Sequence, residues 1–586
     1  MKFRTLLLWL AVGFAAACGA EAGGSAPLAP PTREPTPIES EVDPERAIAE
    51  ADIIQLDRGR LYAVSKSGTL SVVDVSTPGV LTLLGQTTLQ GQPFEMYRRD
   101  GLLFAMSNGD AGARVHVLEV QDPTNIRTLQ TLPVTGEIAD SRIVGDVLYL
   151  ATYENSSCYG CGPTPRTLVT SFDISEPTAL RQVQQVSFQS NAPEAHNLAW
   201  GTNWKRSIFV TERHMYIGGH ADLDPQSFST STAKEGITDV LDVSDPHGRL
   251  RTGTRIRVAG AILSRWQLDE HDGILRVVSQ KGAGRTGNGI GVPEIDTFRV
   301  ESAQSVTPLG HLNMSLPRQE GLRTVRFDGT RAYAITYNQT DPLFAIDLGD
   351  PSHPEQRGEL HIPGFMFHLE PHGDRVIGLG IDRNDARGSL NVSLFDVSDP
   401  DEPVMLERVA FATPRLGEDY QILNGEISED QDRIQKSFRV LPGGLVVVPF
   451  TALSPYGAQS SRCDNAGGGV QLVEWSSDTL RKRALLPLPG NPRRAFEHDS
   501  QLIAVSESNV RAFSLADLDV AHQTADLSIG TCTSSEPPYP SSGGFVRDDY
   551  SYACSISAAH GGGQSGPWLL GLLALVLLRL QRRCRS

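Results

Sequence analysis

The residues with the widest chemical range in this chain are its seven cysteines and a few crowded histidines and carboxylates. Cys158-Tyr159-Gly160-Cys161 spells C-x-x-C. That spacing serves thiol–disulfide exchange, half of a zinc site, or a small local disulfide. Exchange needs a helix N-terminus to lower a thiol pKa, and zinc needs a second pair nearby. Neither accompanies the motif, so Cys158 and Cys161 are read as a disulfide of an oxidising compartment. His361, His368 and His372 crowd one segment, the last two four residues apart. On a helix they would make a metal pair, but this segment reads as strand and turn, which makes them surface or core histidines. Gly282-Ala283-Gly284-Arg285-Thr286-Gly287 spells G-x-G-x-x-G with no helix after it, so it is a loop. Asp222, Asp224, Asp269, Glu270 and Asp272 read as acidic loops without the Gly-centred twelve-residue calcium pattern. Solvated carboxylates are the expectation there, with weak Ca²⁺ binding left open. The chain has no Gly-x-Ser-x-Gly elbow and no His-Glu-x-x-His. These motifs supply no catalytic set, no metal set and no cofactor.

The elements that must carry these residues are strands. The 586 residues hold a formal charge of −17, which argues against a nucleic-acid partner. Hydrophobic residues make up 39 %, enough for a core, and 56 Gly with 37 Pro favour a turn-rich fold. A self-similar unit recurs from about residue 52 to 530. Its signature is a strand ending in Asp-Val-Ser-Asp-Pro or a relative, as in Val72-Val73-Asp74-Val75-Ser76-Thr77-Pro78, Leu241-Asp242-Val243-Ser244-Asp245-Pro246 and Leu394-Phe395-Asp396-Val397-Ser398-Asp399-Pro400. Degenerate copies sit at Thr297–Val300, Leu472–Trp475 and Ala512–Leu515. Alternating β-branched and aromatic residues make half-buried antiparallel strands, and Asp-Pro stops them, because Pro cannot donate to the next ladder. Another strand precedes each copy, for example Arg60–Val64, Val147–Ala151 and Arg331–Ile335. Four short strands per unit make one blade of an all-β propeller. The expected architecture is nine four-stranded blades over 52–530, with eight as the alternative.

Blade topology predicts where variation falls. The loop from second to third strand and the link to the next blade share one face. The long insertions at 153–166, 219–236, 280–294 and 452–469 are of the first kind, and those at 189–206 and 413–434 of the second. One loop-rich face is therefore expected to carry a partner site. The same face holds Cys463, in the eighth unit, and Cys532, after the ninth, so a Cys463–Cys532 clamp is predicted.

The ends indicate location. A basic start, an apolar run and small residues over 1–18 form a secretory signal. Ala15-Ala16-Ala17-Cys18 resembles a lipoprotein lipobox, which would lipidate Cys18; ordinary cleavage near Ala20-Glu21-Ala22 is the alternative. Residues 19–51 read as a disordered Pro/Ala-rich tether. A Gly/Ser-rich linker at 531–566, with Cys554, precedes an apolar segment and an Arg-rich end at 567–586. This arrangement resembles the MYXO-CTERM class of sorting tails, which implies processing at Cys554; a plain tail anchor is the alternative. Both place the body outside the cytoplasm, on the outer membrane or cell surface, with the membrane met only through the terminal anchors.

Residues 139–152 and 321–413 carry the most distinctive text, including Ser141-Arg142-Ile143-Val144-Gly145-Asp146 and Arg326-Phe327-Asp328-Gly329-Thr330-Arg331-Ala332-Tyr333. They resemble a family of secreted bacterial and archaeal β-propeller proteins, with Glu370-Pro371 standing where the resemblance leads one to expect His-Pro. The resemblance implies the propeller and brings no catalytic residues. The functional expectation is a surface-anchored binding or scaffold module for a protein or glycan. The rival is a hydrolase or lyase with its site in the central channel. A cluster of His, Asp or Glu around the channel mouth would favour the enzyme, and apolar and Gly lining would favour binding.

Overall fold

The computed structural model describes residues 51–532, apart from 110–111, 155–165, 177–178, 190–205, 221–234, 282–290, 338–340, 383–388, 412–420, 424–430, 454–462 and 464–466. The strands form nine antiparallel sheets in a ring, a nine-bladed propeller. In chain order the blades span 54–88, 92–134, 137–189, 207–258, 268–313, 321–362, 365–411, 421–487 and 492–528. Within each blade the strands, called a to d here, run outward in sequence. The middle strands are almost wholly buried, as in Leu102–Asn108, while the outer strands alternate, as in Arg127–Val134. Nine apolar clusters fill the spaces between neighbouring blades, the last joining Ile503, Val505 and Ile529 of blade 9 to Ile54, Leu61 and Val73 of blade 1.

A single device repeats at all nine joints. Each c–d pairing carries a register shift, for example at Val72/Val73, Thr297/Phe298 and Ala512/Phe513. Such a bulge leaves one outer-strand residue out of the ladder and sharpens the local twist. The c–d turn of the following blade seats there. Gly358 of blade 6 donates its N–H to the Pro400 carbonyl of blade 7 at 2.7 Å, Thr254 of blade 4 donates to Ala303 of blade 5 at 2.7 Å, and Ala484 of blade 8 donates to Leu518 of blade 9 at 2.8 Å. Where the approach is tightest the outer strand needs glycine: a Cβ on Gly85 would lie 1.8 Å from the Pro123 carbonyl oxygen.

The Asp-x-Ser signature pre-folds the turn that is seated. Asp74 accepts from the Ser76 N–H at 2.9 Å and its hydroxyl at 2.6 Å, and Asp122 with Thr124 and Asp173 with Ser175 repeat the pattern. These are Asx turns, in which a carboxylate replaces a backbone carbonyl. A second backbone bond clamps the a–b turn on the same face, as when Val75 donates to Gly59, Ile174 to Asp146 and Val397 to Asp374.

The ring closes without a shared strand, because every blade is contiguous in sequence. At the seam, Gly79 of blade 1 donates to Gln501 Oε1 of blade 9 at 3.1 Å, and Gln86 Nε2 donates to the Ile529 carbonyl at 2.7 Å. Beside it, Cys463 of blade 8 is disulfide-bonded to Cys532 beyond blade 9, with Cα atoms 5.5 Å apart.

Two outcomes follow. Replacing Cys463 and Cys532 with Ser should cost about 2–4 kcal/mol, seen as a lower Tm that reductant reproduces in the parent chain. An unchanged Tm would mean that the noncovalent seam suffices. The turn carboxylates also set an acid limit. Hydrogen bonds from Ser76, Thr124 and Ser398 hold Asp74, Asp122 and Asp396 below their ordinary range, and Ser175 with Arg181 takes Asp173 to about 2. Groups depressed in the folded state stabilise fully above the unfolded pKa of about 4, and that stability is lost as pH falls towards 2. Tm should drop over that window, and Asp173→Asn should flatten the drop while lowering Tm at pH 7.

Candidate functional site

The axis of the ring is occupied. Strand a of blade 8 is split into Gln421–Leu423 and Arg439–Leu441, both paired with Leu445–Leu453. Between the halves lies helix α1, Gln431–Ser437. The 413–434 region, expected to be a plain blade-to-blade link, is therefore partly an insertion inside a strand. The helix packs against the inner strands of blades 7 and 9. Lys436 reaches Glu95 on strand a of blade 2, and Arg265, just before blade 5, lies 3.4 Å from Gln435 Oε1. Seven residues of helix measure about 10 Å, so α1 meets blades 2, 5, 7 and 9 only by lying in the channel. The signal was present in Ser428-Glu429-Asp430-Gln431-Asp432: acidic residues before an apolar i, i+4 pair, Ile434 and Phe438, with Lys436 in the last turn. Both apolar residues are buried in the cluster between blades 7 and 8.

Charged pairs surround the helix. Arg494 of blade 9 makes two 2.8 Å bonds to Asp52 at the entry of blade 1, and Arg142 Nη1 of blade 3 meets Asp140 at 2.6 Å. Arg493 pairs with Glu507 at 2.8 Å, their side chains 3 % and 5 % exposed. Burial pushes the Glu95 carboxyl above its ordinary range, although the Lys436 ammonium pulls the other way. Tyr97 is raised by burial as well and shares a 3.1 Å hydrogen bond with Ser141 across the joint between blades 2 and 3. Across the channel, the Arg265 and Arg326 guanidinium carbons lie 4.3 and 4.0 Å from the Trp266 ring centroid, within cation–π range.

The histidine cluster separates. His361 lies exposed on strand d of blade 6, beside Glu359. His368 and His372 lie on strand a of blade 7, Phe365–His372. Arg326 Nη2 donates to His368 Nδ1 at 3.0 Å, which places the ring proton on Nε2, 3.6 Å from Glu370 Oε2. Glu370 Oε1 stands 3.5 Å from His372 Nε2, and the rings pack on Phe438 and Trp475. This line is built into the joint between blades 7 and 8.

Asp269 and Glu270 correct the acidic-loop expectation. Both lie on strand a of blade 5, Leu268–His271, a strand too short and too charged to show a hydropathy pattern. Asp269 pairs with Arg276. Glu270 accepts from the Tyr216 hydroxyl at 2.7 Å and from His214. Burial pushes Glu270 up, but those bonds outweigh it and its pKa is lowered. Asp272 is in the exposed turn that follows. Among the described residues no group of three or more His, Cys, Asp or Glu converges as metal ligands. Cys18, Cys158, Cys161, Cys554, Asp222, Asp224 and Gly282–Gly287 lie outside the described residues.

The described ends of five of the six long insertions anchor on the face expected for them, and the sixth, 413–434, starts there and ends in α1. They leave b–c junctions at blades 3, 4, 5 and 8, the d–a link from blade 3 to 4, and the start of blade 8. Their feet are tied: Tyr153 to Glu137 at 3.1 Å, Lys281 to Glu294 at 3.3 Å, and Arg257 to Glu235 at 2.8 Å. Helix α1 therefore lies in the channel of a ring whose long insertions are grouped at blades 3 to 5 and at blade 8. If Lys436 and Glu95 hold it there, Glu95→Gln alone leaves a buried ammonium and should cost about 3–5 kcal/mol. Glu95→Gln with Lys436→Met should recover most of that stability in urea denaturation. Additive losses would mean that the pair does not couple.

Comparison with known proteins agrees with this architecture. The model of the family described as beta propeller domain matches residues 44–415. The match ends in the link after blade 7, and blades 8 and 9 continue the same design. An uncharacterized protein of Methanocaldococcus jannaschii is 35 % identical over 159 residues, 26 % of this chain and 23 % of that one. An uncharacterized protein of Archaeoglobus fulgidus is 34 % identical over 146 residues, 25 % of this chain and 21 % of its own. The chain thus spans less than a quarter of the length of these relatives. Among solved structures, Sqt1 of Chaetomium thermophilum has 10 % identity and a TM-score of 0.37, covering 65 % of this chain and 82 % of its own. A functionally unknown protein of Desulfotomaculum acetoxidans has 12 % identity and a TM-score of 0.32, covering 60 % and 94 %. Likeness of that size says nothing of function. With more than half its length matched by the family model and nine blades in its ring, the chain belongs to the beta propeller domain family.

Proposed function

We propose that this propeller is a surface-anchored binding or scaffold module that holds a protein or glycan on its loop-rich face. The observation that carries this reading is the asymmetry of the two faces: five of the six long insertions anchor on one and the sixth starts there, and turns engaged in blade-to-blade bonds cover the other. Long segments raised on a rigid scaffold are where binding usually sits. Their composition fits a contact surface. Five of the six, at 155–165, 190–205, 221–234, 282–290 and 454–462, carry seven charged residues among them, with Tyr159, Trp200, Trp204, Phe228 and Tyr456 spaced by Ser, Thr, Gly and Asn, whereas 413–434 alone carries eight. Aromatic rings with small polar neighbours make contact area at low entropic cost. The channel is not the apolar lining expected of a binding module; what supports binding there is that its charges pair within the chain beside α1, as Glu95 with Lys436 and Asp52 with Arg494. The Cys463–Cys532 disulfide supports an oxidising, extracytoplasmic setting. Lipidation at Cys18 and processing at Cys554 complete the reading at its two ends.

The test is a glycan array and a crosslinking pull-down with the purified chain, repeated after 190–205 and 221–234 are each cut to a four-residue link. Binding should fall at least tenfold with Tm nearly unchanged, and a substitution on the opposite face, Ser244→Ala, should leave it intact. Hydrolase or lyase turnover that survives loop shortening but is lost with Arg142→Ala would move the function into the channel.

A further inference from the structure

Strand d of blade 7, Val404–Phe411, differs from the other outer strands at its start. Val404, Met405 and Leu406 are 46, 36 and 36 % exposed. The other large apolar residues exposed to that degree among the described residues, Val80, Leu83, Leu129, Leu485 and Val520, form no such run. Single exposed apolar residues are ordinary on any surface, whereas a contiguous patch marks a contact. The bulge in the c–d pairing of blade 7 lifts Leu406 out of the ladder, so a further strand could not pair evenly there and contact falls to the side chains. The charges beside the run are also distinctive. In blades 2, 3 and 4 the first residue of strand d is Arg127, Arg181 or Arg251, which stands opposite the acid that ends strand c and pairs with it. In blade 7 that position, opposite Asp396, holds Val404. The preceding turn nevertheless keeps four carboxylates, Asp396, Asp399, Asp401 and Glu402. Arg375 meets Asp396 and Arg357 meets Asp401, each at 2.7 Å. Asp399 and Glu402 are exposed and make no ion pair among the described residues. Arg481, at the start of the next outer strand, is turned to Asp519 of blade 9 at 3.3 Å.

From this juxtaposition we infer that the tight-turn end of blade 7 is a docking surface for a peptide segment of a partner protein, one that carries apolar side chains next to Lys or Arg. The apolar side chains cover Val404, Met405 and Leu406. A cation beside Asp399 and Glu402 supplies from outside the charge that blades 2 to 4 supply from their own strand d. Burial of the apolar run holds the segment, and the carboxylates select it, because an acidic segment would meet like charge. A neutral or acidic glycan satisfies neither feature. Strand d starts on the side of the tight turns, so this surface is separate from the loop-rich face.

The experiment uses the purified full chain and three fluorescein-labelled peptides read by anisotropy. One alternates leucine with serine and ends in two lysines. The second ends in two glutamates instead, and the third keeps the lysines but has serine for every leucine. The first should bind at least tenfold more tightly than either of the others. Val404→Arg, which gives blade 7 the residue type of blades 2 to 4, should weaken that binding at least tenfold with Tm unchanged, and so should Glu402→Lys. Equal binding by the two lysine peptides would reduce the effect to general attraction by a chain of net charge −17 and overturn the inference. Equal binding by the lysine and glutamate peptides that carry leucine would overturn it too, as would no binding at all. Binding that both substitutions leave intact would place the peptide elsewhere on the chain and equally overturn it.

Discussion

Each blade of this protein holds the turn of the next in the bulge of its outer strand, and the ring depends on that joint being made nine times. The joint needs three local features at once. The bulge lifts one outer-strand residue out of its ladder and frees a backbone group. The incoming turn must be rigid, which the Asp-x-Ser carboxylate ensures. The approach must be close, which fixes Gly85 and Gly310. Where the outer strand has glutamine instead, a side chain makes the bond: Gln130 Nε2 donates to Leu180 of blade 3 at 2.9 Å. Between blades 7 and 8, Glu407 accepts from the Leu480 N–H at 2.6 Å. The chemistry changes from joint to joint while the position does not.

Nine blades leave an axis that inner strands alone do not fill. The chain meets this by breaking the inner strand of blade 8 and laying α1 into the channel. Apolar packing carries one side of the helix, through Ile434 and Phe438. The other side meets the charged inner strands, where a buried ammonium is tolerated only beside a carboxylate, so Lys436 faces Glu95. The same rule pairs Arg494 with Asp52 and Arg142 with Asp140. These charges are what a plugged channel requires when its inner strands also carry the blade-to-blade contacts.

The propeller was legible because its unit is local. Period-two strands, Asp-Pro stops and a recurrence of about 50 residues are all short-range, and they located nine units and the insertions between them. The Cys463–Cys532 pairing was legible for the same reason, since blade topology alone puts both residues on one side. The channel was not. Arg494 and Asp52 are 442 residues apart, and Glu95 and Lys436 are 341 apart, so no local pattern couples them. Strand Leu268–His271 escaped notice because three of its four residues are polar and its partners belong to other strands. Helix α1 was missed because the surrounding repeat suggested a link, although its acidic start and i, i+4 apolar pair were in plain view.

The two faces differ because the seated c–d turns are on only one of them. Every c–d turn there seats in a neighbour, and every a–b turn is held by a backbone bond from strand c, as with Val75 to Gly59 and Leu348 to Thr330. An insertion on that side would have to preserve two sets of bonds or open a joint. The b–c and d–a side is joined by individual side chains at the strand ends, as where Lys66 N–H donates to Glu507 Oε2 and Ile138 N–H to Asn108 Oδ1, both at 2.8 Å, so the loops beyond those points can change in length and sequence. The constraint that closes the ring therefore also assigns all the variable surface to the opposite side. Contiguous blades add the last element, since they bring the entry to blade 1 and the exit from blade 9 to that same side. Closure and the placement of the long insertions thus follow from one topological choice.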